Sequence, residues 1–401
     1  MSPRAENMDK SKKPYADSYL SVHGGENRNL YAKSLVPPIV QTATFTFEGV
    51  EDFEAFKAGE RSGFEYARYG NPTQRVAEQK IAALEGADDA LLFSSGMAAV
   101  CSVLLAMLSS GQHMIVMEDC YRMTEKFCHS MKKFGIGSSF VKPGDMEGLR
   151  SAVRPETRLL FSESPTNPHL HVLDLPQLVS FAKENRLKLL IDSTLATPIN
   201  QRPIGFGVDL VIHSATKYMG GHNDLMAGVI SGSQRLVDAI REFQSITGAT
   251  ADPNTAYLLI RGLKTMELRV QRQNETGLAL AEFLEGHKKV RRVFYPGLES
   301  HKDHIVARQQ MRGFGGVVSF EVEGNTEDVK RFINALKIPQ YAPSLGGVEA
   351  LVQHPATVSH YDMSREERLA VGITDELVRY AVGIEEKEVL IKDIECALGD
   401  L

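Results

Sequence analysis

Residues 187–217 read LKLLIDSTLATPINQRPIGFGVDLVIHSATK. Two short apolar runs, Leu187 to Ile191 and Asp209 to Ile212, each give way at once to polar residues, Asp192-Ser193-Thr194 after the first and His213 through Lys217 after the second. A helical pattern from Asp174 to Asn185 precedes the first run. Working outward, the same kind of run recurs at Ala90–Phe93, His113–Met117, Arg158–Phe161 and Ala227–Ile230. Apolar runs too short for helices, separated by amphipathic helical stretches, predict βαβ units and an α/β fold around a mostly parallel central sheet.

The flanks read differently. Thr255 to Leu284 is one long helical pattern with Gly262 and Gly277 as weak points, and Gly315–Val322 and Leu377–Val382 are strand candidates. Helical patterns at Glu327–Leu336 and Ser364–Val371 lie between them, so a smaller α+β unit is expected toward the C-terminus. The first sixty residues carry Pro37-Pro38 and an alternating Thr42 to Phe47 but few core-like runs. The expected division is an arm over 1–63 with intersubunit contacts, a cofactor-binding domain over 64–260 and a C-terminal domain over 261–401.

The 401 residues hold 45 Lys plus Arg against 51 Asp plus Glu, a net charge of −6, which argues against tracking a phosphodiester backbone. With 43% hydrophobic and 24% charged residues the chain is in the globular range and no run approaches the ~20 apolar residues of a membrane span. The polar stretch Met1 to Lys13 has no apolar region behind it, so no secretory signal is expected and the cytoplasm is the expected location. Cys101, Cys120, Cys128 and Cys396 form no C-x-x-C pair and read as small hydrophobes in a reducing compartment.

Ligands of open parallel sheets bind beyond the carboxyl ends of the strands. After the run Ala90–Phe93 comes Ser94-Ser95-Gly96-Met97, a small-residue turn opening a helix, whose free N–H groups suit a phosphate, although ordinary capping would also account for it. Asp192, directly after the run Leu187–Ile191, could hold a protonated heteroaromatic nitrogen, a metal, or a loop. Lys217, beyond a buried strand, could be a surface amine or a desolvated one able to form a Schiff base. Taken together, the three edges supply what pyridoxal phosphate requires. Ser214-Ala215-Thr216-Lys217 also matches the S-x-x-K of serine acyl-transferases, but no S-D-N accompanies it. His169-x-His171 and His301-x-x-His304 lack a matching metal-ligand set in sequence and read as solvated histidines.

Six motifs occur in order: YARYGNPT at 66–73, SGMAA at 95–99, ESPTNP at 163–168, IDST at 191–194, SATK at 214–217 and SLGG at 344–347. They resemble the Cys/Met-metabolism family of pyridoxal phosphate enzymes, and the resemblance runs from about Ser21 to the C-terminus. Within the family, Ser214 to Ala227 and Met311 to Val322 look most like plant-type cystathionine γ-synthase. The resemblance implies a fold-type I pyridoxal-phosphate transferase, usually a homotetramer built as a dimer of dimers, acting on a small amino acid.

Position by position, the resemblance implies that Lys217 carries the cofactor and Asp192 pairs with its pyridine nitrogen. Gly96, Met97, Ser214 and Thr216 would hold the phosphate, with Tyr66 and Arg68 reaching in from a neighbouring subunit. Tyr121 would stack on the ring and serve as an acid or base, Arg379 would clamp the substrate carboxylate, and Ser344 and Asn167 would help position it. The implied reaction is γ-replacement on an activated homoserine ester by a thiol such as cysteine. The alternative is γ-elimination, giving a 2-oxo acid and ammonia, and an idle scaffold conflicts with the intact Lys217, Asp192, Tyr121 and Arg379. Two positions depart from the family pattern. Met123 stands where methionine γ-lyases resemble one another in having cysteine and plant-type synthases carry lysine, which weakens O-phosphohomoserine as the ester. Pro343 stands where many cystathionine-processing relatives have glutamate.

Overall fold

The structure is a computed structural model describing residues 16–27 and 33–401. The segment Met1 to Lys13, whose polarity argues against a signal, lies outside the described residues. The larger sheet holds β1 (Asp89–Phe93), β2 (His113–Met117), β3 (Gly137–Val141), β4 (Thr157–Glu163), β5 (Lys188–Asp192), β6 (Leu210–His213) and β7 (Gly228–Gly232). Their spatial order is β1-β7-β6-β5-β4-β2-β3, with the contiguous run β6 to β3 parallel and β7 antiparallel to both its neighbours. Residues 214–227, between β6 and β7, form loop and turn without the crossover helix a parallel return needs.

Both faces of this sheet are covered, which is why its central strands are apolar throughout. On one face Phe93, Val116, Phe161 and Ile212 pack with Val103 and Leu104 of the helix Gly96–Met107 and Val237 and Ile240 of the helix Gln234–Thr247. On the other, Ile115, Leu160, Leu189 and Val211 pack with Leu178, Val179 and Phe181 of the helix Leu175–Glu184. Successive residues of one strand thus serve opposite cores, as the period of two demands. The polar, glycine-started edge strand β3 has no apolar run to announce it.

The second sheet holds β8 (Val290–Phe294), β9 (Val317–Val322), β10 (Gln340–Tyr341), β11 (Leu351–Gln353) and β12 (Leu377–Ala381), ordered β10-β11-β12-β9-β8 and antiparallel apart from β10 with β11. The long helical pattern is two helices, Pro253–Leu263 and Met266–Glu285. Asp252 caps the first, accepting from the N–H groups of Asn254 and Thr255 at 2.8 and 3.1 Å. The chain breaks just after Gly262, whereas Gly277 stays within the second helix.

Gly262 has a packing reason to be glycine. A Cβ there would lie 2.3 Å from the carbonyl oxygen of Gly220 and 2.8 Å from that of Met219, in the loop that carries Lys217. Arg269, in the next helix, donates to the carbonyls of Tyr218 and Gly262, each at 2.8 Å. Helices from the C-terminal part of the chain therefore hold the lysine loop. Gly262→Ala is expected to destabilise the protein by about 1–3 kcal/mol through overpacking against backbone that cannot yield. Gly205→Ala, with nothing within 4 Å of the added Cβ, is the control. Paired thermal scans check this, and equal midpoints for the two variants would contradict it.

Candidate active site

A cavity of about 450 Å³ opens beyond the carboxyl ends of β4, β5 and β6. Its lining brings together Gly96, Met97, Tyr121, Asn167 and Asp192 with Ser214, Thr216, Lys217, Ser344 and Arg379. Ten of the residues singled out from sequence thus meet at one place. Tyr66 and Arg68 do not line it. Arg68 instead donates to the carbonyl of Ser245 and lies over the Tyr69 ring at 4.9 Å, while Tyr66 is 42% exposed.

The turn after β1 combines both readings made of it. Ser95 caps the helix, its hydroxyl accepting from the Ala98 N–H at 3.0 Å, while the N–H groups of Gly96 and Met97 precede the first intrahelical bonds. A Cβ on Gly96 would lie 3.0 Å from the Cβ of Ser214, and one on Gly228 would lie 2.1 Å from the Ser95 carbonyl oxygen. The cradle is closed by backbone-to-backbone approach. Thr216 ties the lysine loop to β7, its hydroxyl donating to the Ala227 carbonyl at 3.2 Å and accepting from the Ala227 N–H at 3.0 Å.

Among the described residues no lysine or arginine pairs with Asp192. Its carboxylate accepts from the Thr194 N–H at 3.0 Å and hydroxyl at 2.5 Å, and burial raises its pKa while those bonds lower it. Lys217 donates from Nζ to the Ser344 hydroxyl at 2.7 Å. Burial, then the charge of Arg379, lowers its pKa to about 8. Its amine does not bond Ser214, so the S-x-x-K arrangement finds no support here. Ser344 adopts φ 98°, a strained conformation for a residue with a side chain. Arg379 donates to the Asn167 side-chain oxygen at 3.3 Å and to the Ser344 carbonyl at 2.5 Å, and its Nε is buried without a partner. Burial lowers its pKa to about 10. An unpaired guanidinium of this kind suits an incoming carboxylate.

Several features lay beyond the sequence reading. Glu163, the last residue of β4, also lines the cavity and accepts from the Tyr121 N–H at 2.9 Å. The strand-end rule, applied to the run Arg158–Phe161, would have found it. At the mouth, Asp362 accepts from Arg122 Nε at 3.0 Å and Lys126 Nζ at 2.5 Å, and those two cations hold its pKa well below the usual carboxylate range. Arg122 and Lys126 are neighbours on one helix face, but nothing local links them to Asp362. Met123 and Pro343 both line the cavity.

The histidine reading needs correction. His169 and His301 are buried rather than solvated, and the fold brings a ring nitrogen of each of His171 and His301 and a carboxylate oxygen of Asp303 within 4.8 Å of one another. Hydrogen bonds already engage the cluster: His171 Nδ1 with Asp303 at 3.2 Å, and His301 Nδ1 accepting from the Asp303 N–H at 3.2 Å. The cysteines are unpaired, and burial pushes the thiols of Cys101 to about 11 and Cys128 to about 12, far from nucleophilic.

A mostly parallel sheet whose carboxyl edge presents a desolvated lysine, an unpaired carboxylate and a free helix N-terminus defines a pyridoxal phosphate enzyme. The chain belongs to the Cys/Met metabolism PLP-dependent enzyme family, whose model matches residues 18–399. It is 46% identical over 390 residues to cystathionine gamma-synthase 1, chloroplastic, of Nicotiana tabacum, covering 96% of this chain and 72% of that one. It is 42% identical over 390 residues to the L-methionine gamma-lyase of Fusobacterium nucleatum subsp. polymorphum, covering 96% and 98%. The crystal structure of cystathionine gamma synthase from Xanthomonas oryzae pv. oryzae in complex with aminoacrylate and cysteine superposes with a TM-score of 0.91 at 34% identity, covering 96% of this chain and 98% of that one.

The residues present fit the cofactor on this structure's own terms. Asp192 lacks a cation, the Gly96 turn has donors to spare, and the Lys217 amine is made partly neutral by its surroundings. A lysine lowered in this way is protonated below about 8 and free above it. The rate at which the cofactor-free protein takes up pyridoxal phosphate is therefore expected to rise toward pH 8 and level off beyond it. Stopped-flow absorbance across pH checks this, and a rate still climbing toward the ordinary lysine value of 10.5 would contradict it.

Proposed function

We propose that the protein catalyses γ-replacement on an activated homoserine ester by a thiol such as cysteine. The observation that carries this reading is the 46% identity, over 96% of the chain, to a protein described as a cystathionine gamma-synthase. Pyridoxal phosphate, when bound, supplies an electron-withdrawing ring conjugated with the substrate nitrogen, which acidifies first the α- and then the β-hydrogen.

The chain's own residues do the rest. Arg379, steadied by Asn167 and the Ser344 carbonyl, binds the substrate carboxylate. Lys217 would hold the cofactor, and its amine would take the α-proton, a task suited to an amine whose pKa is near working pH. Asp192 stays ionised to keep the ring nitrogen protonated. The N–H groups of Gly96 and Met97 and the hydroxyls of Ser214 and Thr216 hold the phosphate. Tyr121, at the cavity, gives or takes the proton at the γ-substituent as it leaves. The thiol then bonds to the γ-carbon in place of the departed group, its S–H proton passing to Tyr121 to replace the one given to the leaving group, and the protons taken from the α- and β-carbons are returned there.

A second reading is γ-elimination to a 2-oxo acid and ammonia. The 42% identity to an L-methionine gamma-lyase supports it, together with Met123 and Pro343 beside the site. We also place the enzyme in the cytoplasm as a homotetramer, a dimer of dimers, in which Tyr66 and Arg68 complete a neighbour's site. That neither lines its own chain's cavity supports this, as do the exposed Leu35 and Val36 of the arm, and the free cysteines suit a reducing compartment. No described helix is long and apolar enough to cross a membrane.

With O-acetyl- or O-succinylhomoserine plus cysteine the enzyme is expected to form cystathionine, read by mass spectrometry. Release of 2-oxobutyrate and ammonia alone, whatever thiol is present, would reject replacement in favour of elimination. Lys217→Ala is expected to abolish both the yellow colour of the bound cofactor and turnover; surviving turnover would remove Lys217 from its role.

A further inference from the structure

Glu163 is a buried ionisable residue of the cavity that the proposed chemistry leaves without a task, although it lies beside two residues that have one. It sits at the carboxyl end of β4, directly opposite Asp192 of β5 in the parallel register. The Ser164 N–H donates to the Asp192 carbonyl at 3.1 Å, so the two strand ends are locked together. Glu163 is 4% exposed, and among the described residues no lysine, arginine or histidine pairs with it. Its one protein donor is the Tyr121 N–H, at 2.9 Å.

The groups around it are all acidic or neutral. Asp192 faces it from β5, and Asp119 and Cys120 from the segment leading to Tyr121. Two carboxyls side by side in a dry site do not both ionise, and the one with the better donors keeps the charge. Asp192 has two bonds from Thr194, whereas Glu163 has a single backbone N–H. Burial, then the charge of Asp192, drives Glu163 well above the ordinary carboxylate range.

We propose that Glu163 is a positioning residue: as a neutral acid it fixes the backbone of Tyr121 over the cavity and leaves the charge of the pair on Asp192. A neutral carboxyl still accepts the Tyr121 N–H through its carbonyl oxygen. It also withholds a second negative charge that would otherwise raise the pKa of Asp192 and cost it its ionised form.

The assignment rests on Asp192 and Tyr121 as the cofactor contacts named above, and its test does not depend on which γ-substituted amino acid is turned over. In infrared difference spectra of the full-length holoenzyme at pH 7, a protonated-carboxyl carbonyl band is expected that vanishes in Glu163→Gln and persists in Asp192→Asn. In kinetics with whichever substrate the wild type uses, Glu163→Gln should stay near wild type in kcat and pH profile. Glu163→Ala should lose kcat on the order of 10- to 100-fold with a smaller change in KM, as displacement of a reacting group does. The proposal is overturned if the acid band is missing or belongs to Asp192, if Glu163→Gln falls as far as Glu163→Ala, or if Glu163→Ala matches the wild type. Should Glu163→Ala fail to fold, the spectrum and kinetics of Glu163→Gln still decide. A failure of the replacement reading would alter the products but not the infrared assignment.

Discussion

Charge without a counter-charge governs this molecule. Asp192, Lys217 and Arg379 are wholly or largely withdrawn from water at one end of the larger sheet, and none forms an ion pair with a charged side chain among the described residues. Desolvating an ion costs several kcal/mol even after relaxation, so the site destabilises the fold that carries it. Hydrogen bonds from Thr194 to Asp192, the Ser344 hydroxyl accepting from Lys217, and side-chain and main-chain carbonyls accepting from Arg379 offset part of that cost. The remainder falls to the two-sided core, in which Phe161, Leu190 and Ile212 are essentially inaccessible to water. Ser344 adds strain of about 1–3 kcal/mol by holding an unusual backbone angle. The result is a set of groups whose electrostatic needs are left open at the cavity.

Much of this architecture was legible because it depends on local pattern. The strand at His113–Met117 has the predicted bounds, and those from β4 to β7 shift by only one or two residues at most ends, since a doubly covered strand must be apolar at consecutive positions. The same logic missed β3 and β8, where sequences such as GSSFV and VRRVF carry polar residues that an edge strand tolerates. It also could not show the reversal of β7, because direction is set by the loop before a strand and not by the strand itself.

The candidate site was legible where the cavity residues sit just beyond strand ends. Asp192 and Lys217 are found by walking off an apolar run, and Arg379, inside β12, came only through resemblance to a family. Contacts across long stretches of chain were invisible. The pairing of Asp362 with Arg122 and Lys126 joins residues some 240 positions apart. His171 and His301 looked unrelated in sequence for the same reason, and burial of His301 followed from packing that no local pattern encodes.

The anchoring of the lysine loop has a consequence for how the protein is made. A chain emerging from the ribosome completes the larger sheet once Gly232 is out, yet the residues that clasp the loop, Gly262 and Arg269, come some thirty or more positions later. Domains fold N-terminal first as synthesis proceeds. The nascent sheet therefore exists for a time with the Lys217 amine on an untethered loop, and the cavity is assembled only after Arg269 and, later, Ser344 and Arg379 have emerged.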